Sequence, residues 1–431
     1  LADALDALCA NKKITVAATN CLGCTIHLET AAELGQVTYT QHVARILQDN
    51  CQTCHRPDQV APFSITNFAE AKTWATEINA YAQAKIMPPW KAVANFGEFQ
   101  HERRLDDEQL ALLDRWVKEG TPEGPKADLP PSPKFSNEWA LGTPDAILEM
   151  PEEYVIGPEG EDDYRHFIVP TNFDRDMYIT ACDVIPGNRQ TVHHVIAYVD
   201  TTGKARELDA ADPGPGYTRF GGTGFRAASS LGGWAPGSLP AKTPPGTGRW
   251  LPKGADVVLQ VHYYRTGKEE RDQTKIGLYF SDSPNPKKID SGIAINLRLK
   301  LEPNQKRIEV PATWNIREPV YAISISPHMH LLGTEMKIEA ELPDGNIKEL
   351  IWIKKWDFNW QGAYHFKEPI FLPAGTKVNL VAYYDNTADN PNQPNSPPKL
   401  IRWGPKTTDE MCIAFIAHVK AKDWQPKKIK E

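Results

Sequence analysis

Val320-Tyr321-Ala322-Ile323-Ser324-Ile325-Ser326-Pro327-His328-Met329-His330 joins a short apolar run to an HxH pair. On a strand successive side chains alternate between faces, so both histidines would point the same way and two imidazoles could reach one ion. Similar short apolar or alternating runs fill the chain beyond about residue 137: His166 to Val169, Met177 to Cys182, Val195 to Val199, Val257 to Tyr264, Ile276 to Tyr279, Met336 to Ala340, Val378 to Tyr384 and Met411 to Val419. Turn-rich segments divide them, the spacing that a pair of β-sandwiches gives. The Gly/Pro-rich stretch from Pro213 to Gly254 is too long for an ordinary loop and is expected near the functional surface.

The first part of the chain reads differently. Thr40 to Asn50 sets Val43, Ile46 and Leu47 on one helical face and leads into Cys51-Gln52-Thr53-Cys54-His55. CxxCH is the attachment pattern of a c-type haem: two thiols bond the haem, and the adjacent His ligates the iron. A redox CxxC or a zinc half-site is the bland alternative; no second CxxC with zinc spacing follows. Asn67 to Ala84 reads as a second helix, delivering Met87 in Ile86-Met87-Pro88-Pro89-Trp90 as the distal thioether. Asp106 to Gln109 looks like a capping box, opening a helix that lines up Leu110, Leu113 and Val117 and stops at Gly120. Residues 37–124 resemble a bacterial cytochrome c domain. Since haem is attached outside the bacterial inner membrane, that resemblance implies a periplasmic or otherwise exported protein.

The 431 residues are too many for one core. The organisation expected is an N-terminal segment 1–36, an all-α haem domain 37–124, a Pro-rich linker 125–136, and sandwiches 137–288 and 289–431. A net charge of −7 gives no nucleic-acid footprint, and no apolar run reaches the roughly 18 residues of a membrane span. Lys420 to Lys430 reads as a solvated tail. The chain begins at Leu1, which suggests processing or a longer parent. Leu1 to Ile26 resembles the tail that follows a thioredoxin-like redoxin domain. Cys21 and Cys24 form a CxxC followed by Thr25, which argues against a second haem; a disulfide or a redox pair is open to them and His27 makes a metal site conceivable, with the structural role favoured. Cys9, Cys182 and Cys412 have no assignable partner.

Four fragments of the second half stand out together: His193-His194, Gln260-Val261-His262-Tyr263, His328-Met329-His330 and Asp409-Glu410-Met411-Cys412. A lone histidine on a strand is more often a packed or surface residue, and a lone Met is usually core. In this order, however, HH, QVHY, HxH and DEMC resemble the copper type II monooxygenases, the group of peptidylglycine α-hydroxylating and dopamine β-monooxygenase, over roughly residues 137 to 420. The resemblance implies two jelly-roll-like sandwich domains, each holding one copper. His193, His194 and His262 would hold the first ion, and His328, His330 and Met411 the second, catalytic one. The Met thioether favours Cu(I), the state that meets O2, and three protein ligands leave a position open.

Two departures bear on substrate. The arginine that binds substrate carboxylate in the peptide-amidating enzyme stands two residues before HxH, where this chain has Ser326, and a tyrosine four residues after the copper Met is Phe415. Glycine-extended peptides are therefore not the expected substrate. The remaining histidines considered, His42, His101, His166, His365 and His418, lack ligand spacing and read as packing or surface residues. The expectation is a C–H hydroxylase of a small molecule using O2, two coppers and covalent haem c, with an external donor feeding electrons through the haem. The alternative is a copper-binding electron-transfer cytochrome without oxygenase chemistry.

Overall fold

The computed structural model describes residues 35–57, 59, 61–135, 139–160, 162–219, 222–235 and 238–426. Cys9, Cys21, Cys24, His27 and the last lysines lie outside the described residues.

Between residues 37 and 124 the regular elements are helical: a π turn at Tyr39–Val43, then α1 (Ala44–Asn50), α2 (Phe68–Thr73), α3 (Ala75–Gln83) and α4 (Asp107–Lys118). The continuous helix expected from Asn67 to Ala84 is corrected. Asn67 caps α2, but Trp74 leaves helical dihedrals and stacks on Phe63, with ring centroids 4.2 Å apart, so the helix breaks there. Both halves of the Asp106/Gln109 capping box form, and Gly120 takes the left-handed conformation (φ +83°) that ends the segment after α4. Leu47, Leu113 and Trp116 form a buried core among these helices.

Beyond residue 139 the described chain is β apart from one short helix, Lys204–Ala211. The strands that matter most for the site are β1 (Asp163–Pro170), β2 (Val192–Asp200), β3 (Asp256–Tyr263), β4 (Val320–His328), β5 (Tyr364–Leu372) and β6 (Ile413–Lys420). One five-stranded sheet runs Tyr217–Thr218, β1, β3, β2, Ser229–Trp234. It buries Val195, Leu259 and Val261 against Ile179, Ile276 and Leu278 of a second five-stranded sheet. A separate four-stranded sheet, Asp290–Ile295, β6, β4, β5, packs Ile325 and Ile416 on Ile338 and Leu380 of its four-stranded partner. Gly333–Glu341 and Lys377–Tyr384 alternate buried with more exposed residues, whereas β3 is buried along its whole length.

The Gly/Pro-rich stretch, too long for an ordinary loop, carries strands. Ser229–Trp234 pairs with β2 and Thr247–Leu251 with Met177–Ile185, the first edging the strand that carries His193 and His194. Glycine at 233 is required there, since a Cβ would stand 2.3 Å from the Val195 carbonyl. The helical part is seated on the second sandwich: Ala92 and Phe99 bridge to Ile353 and Phe366, and Trp90 packs edge-on to Tyr364.

Candidate two-metal site

β1, β3 and β2 are neighbours, and their register sets Tyr164 opposite His262 and His262 opposite His194, one row across the sheet. Regular pleating would send His193 and His194 to opposite faces. The register shifts between Val192 and His194, and such a bulge re-aims side chains. His193 thereby joins the row. Ring centroids lie 4.8 Å apart for His193 and His262 and 4.9 Å apart for His194 and His262. One ligand nitrogen from each of the three lies within 4.8 Å of the others.

Asp162 meets His262 Nε2 at 3.0 Å, so that nitrogen carries the proton and Nδ1 keeps its lone pair. Nδ1 of His262 and Nδ1 of His193 are buried without a hydrogen-bond partner, an arrangement that costs free energy unless something is bound. Burial pushes His193 down to about 4 and His194 well below the usual imidazole range. Imidazoles converging on one point, with Nδ1 of His193 and of His262 unpartnered, fit a cation of the copper type.

In the second sandwich the HxH reading needs a correction. β4 ends at His328, so His330 lies just past the strand, and the pair is not aligned by strand pleating. Supports from loops align it instead, and the rings stand 5.1 Å apart at 83°. His328 Nδ1 donates to Gln361 Oε1 at 2.6 Å, and His330 Nδ1 to the Asp409 carbonyl at 3.1 Å. Both bonds leave Nε2 as the free lone pair. Burial again lowers both histidines, His328 to about 4. His328 pairs with Ile413, two residues after Met411. The buried Glu410 carboxylate accepts N–H bonds from His330, Leu332 and Met411, and Tyr384 Oη donates to the Met411 carbonyl at 2.7 Å. Burial raises Glu410 to about 8 against the pull of those amides.

Charge on His328 is among the causes that lower His194, after burial, His262 and His193.

Cys51, Cys54 and His55 form one tight turn, in which the Cys54 and His55 amides both donate to the Cys51 carbonyl. Both thiols are free. His55 Nδ1 donates to the Phe63 carbonyl at 3.2 Å, leaving Nε2 outside that bond. Met87 follows α3, its amide donating to the Tyr81 carbonyl. Among the other histidines, His166 is fully buried with Nε2 2.9 Å from Gln260, and His418 packs on Trp314. The His42 ring accepts the Thr38 amide, and His365 sits on β5 with its carbonyl bonded to the Gln100 amide.

Sequence reasoning passed over Asp162, Tyr164, Gln361 and Glu410. Glu410 lies inside the DEMC motif and Tyr164 on an alternating strand, so both carried some signal. Asp162 and Gln361 are loop residues brought in by the fold alone.

Residues 299–428 match the family model described as copper type II ascorbate-dependent monooxygenase, C-terminal domain. The match spans His328, His330 and Met411, and it supports a copper-dependent monooxygenase, an oxidoreductase using a substrate and O2. No curated protein matches the chain. Among solved structures, the major capsid protein P2 of bacteriophage PM2 is similar at 10% identity, covering 65% of this chain and 98% of that one, with a TM-score of 0.29. PNGF-II in its P21 crystal form is similar at 9% identity, covering 64% of this chain and 65% of that one, with a TM-score of 0.23. Neither likeness is close enough to carry a function. Among the described residues, no helix is long and apolar enough to cross a membrane.

Proposed function

We propose that this chain is a haem-fed copper monooxygenase that hydroxylates a C–H bond of a small molecule. The observation that carries the reading is the convergence of His193, His194 and His262 on one point, with the His328 and His330 rings 5.1 Å apart in the second sandwich. On this reading residues 37–124 are a c-type cytochrome domain, 125–136 a linker, and 137–288 and 289–431 the two copper sandwiches, in an exported, periplasmic protein.

His193, His194 and His262 would hold a copper that stores an electron, and His328, His330 and Met411 a copper whose Cu(I) state would meet O2. Cys51, Cys54, His55 and Met87 would hold a haem, which would supply one-electron transfer from an external donor. The chain's own residues do the rest. Asp162, Gln361 and the Asp409 carbonyl fix which imidazole nitrogen is bare, and Glu410 clamps the backbones of His330 and Met411 together.

The substrate surface follows from β4 and β6. Ser326 pairs directly with Phe415, and Phe415 with Ile293, on the face that strand alternation shares with His328 and Met411. Phe415 is 40% and Ile293 43% exposed, an apolar, uncharged row beside the second centre. It suits a substrate with an apolar reacting region rather than a terminal carboxylate. The test is oxygen-18 incorporation from O2 into apolar candidates by copper-loaded protein. Labelled product that is lost in Met411→Ala with haem intact is expected. Full hydroxylation by Met411→Ala would overturn the assignment.

A further inference from the structure

We propose that residues 90–100 are a strap belonging to the second sandwich, and that Lys91 in it positions, through Asp357, the loop that holds His328 and His330. The proposal rests on the two-centre reading for its purpose, though not for its existence.

The strap comes from the helical part of the chain, directly after Met87-Pro88-Pro89. β5 lies at the end of one sheet of the second sandwich, and Ile347–Ile353 at the end of the other. An end strand presents unpaired backbone groups unless something covers it. The strap meets both. The Val93 amide donates to the Trp352 carbonyl at 2.9 Å, and the Gln100 amide to the His365 carbonyl at 2.8 Å. The Lys367 amide of β5 donates back to the Glu98 carbonyl at 2.9 Å. Ala92 and Phe99 are buried in the core of the second sandwich, with Trp90 and Trp356 packed against it.

The loop between those two end strands, residues 354–363, carries the supports of the second centre. Its Gln361 accepts from His328 Nδ1 at 2.6 Å, and its Trp356 indole donates to the His330 carbonyl at 3.1 Å. Phe358 stands edge-on to the His330 ring at 6.0 Å. Lys91 Nζ reaches Asp357 Oδ2 of this loop at 3.0 Å, the two side chains being only 12% and 28% exposed. A partly buried pair of this kind is screened less than a surface one. Asp357 Oδ1 meanwhile accepts the Asn359 amide at 3.1 Å, so one carboxylate ties the strap to the turn of the loop. Fixing Asp357 fixes its neighbours, and with them the bonds that orient the two histidines. Lys91 and Asp357 are therefore positioning residues, and the part of the chain that carries Met87 helps set the geometry of the second centre.

The experiment is hydrogen exchange on the full chain prepared without copper. Wild type is compared with Lys91→Met, Lys91→Arg, Asp357→Asn and the Lys91→Met/Asp357→Asn double variant. Methionine keeps an unbranched stem at 91, and asparagine keeps an oxygen for the Asn359 amide, so each change removes the charge pairing. The Trp356 and Trp360 amides and the Trp356 indole N–H are expected to exchange on the order of fivefold faster in Lys91→Met and in Asp357→Asn. The double variant is expected to match the singles, and Lys91→Arg to match wild type. Unchanged exchange would overturn the proposal, and so would equal acceleration throughout β2 and β3, which would signal general loosening. A Cu(I) competition titration provides the second readout. Weaker binding at the His/His/Met centre with the three-histidine centre unaffected is expected; unchanged affinity, or equal weakening at both, overturns the proposal. If wild type bound no copper, the two-metal reading would fall, and the exchange rates would still judge the strap.

Discussion

One oxygen of the Glu410 carboxylate accepts the amide protons of both His330, at 2.9 Å, and Met411, at 3.1 Å. Two candidate ligands far apart in sequence are thereby held by one buried atom. Glu410→Ala removes both acceptor oxygens and leaves the amides of His330, Leu332 and Met411 without that partner. A buried donor left unsatisfied costs about 1–3 kcal/mol. Cu(I) affinity at the second centre is expected to fall by about tenfold or more with the first centre retained. A two-class Cu(I) titration checks this.

Asp162 does the corresponding work at the first centre, holding the proton on His262 Nε2. Asp162→Asn keeps the size but removes the carboxylate that orients the ring. Outer partners of this kind are worth about 10–100-fold in metal affinity. That loss is expected at the three-histidine centre alone, read from the Cu(II) EPR signal under chelator competition.

His166 sets a pH dependence independent of copper. Burial, the dominant cause, lowers it to about 4 from an ordinary 6.5. Between pH 6.5 and 4 the unfolded chain binds a proton here that the folded chain refuses. Stability present above pH 6.5 is therefore lost as pH falls through that window, by about 3 kcal/mol, with no further loss from this residue below it. Hydrogen exchange of β1 and β3 amides at pH 7.5 and pH 5 reads the effect. His166→Gln is expected to show a correspondingly weaker acid dependence than wild type.

Much of this architecture was legible because β burial writes itself into the sequence, at period two in Val378 to Tyr384 and as a largely apolar run in Val257 to Tyr263. Ser229–Trp234 and Thr247–Leu251 were hidden because glycines needed for close backbone approach, such as Gly233, read as turn residues. The break at Trp74 was invisible, since stacking on Phe63 is a tertiary event that overrides helical periodicity. At the site, His193-His194 and HxH were readable as motifs, yet what aligns them was not. The bulge before His194 and the loop contacts to Gln361 and Asp409 arise from chain segments that meet only in the folded protein.

The most direct test of the account is metal and haem content of the purified chain reconstituted with excess copper, by elemental analysis beside the haem absorbance. Two coppers and one haem per chain are predicted, with copper falling to one in His194→Ala and in Met411→Ala. Copper near zero in the reconstituted wild type would contradict the two-centre account, and absence of covalent haem would contradict the proposed route for its electrons.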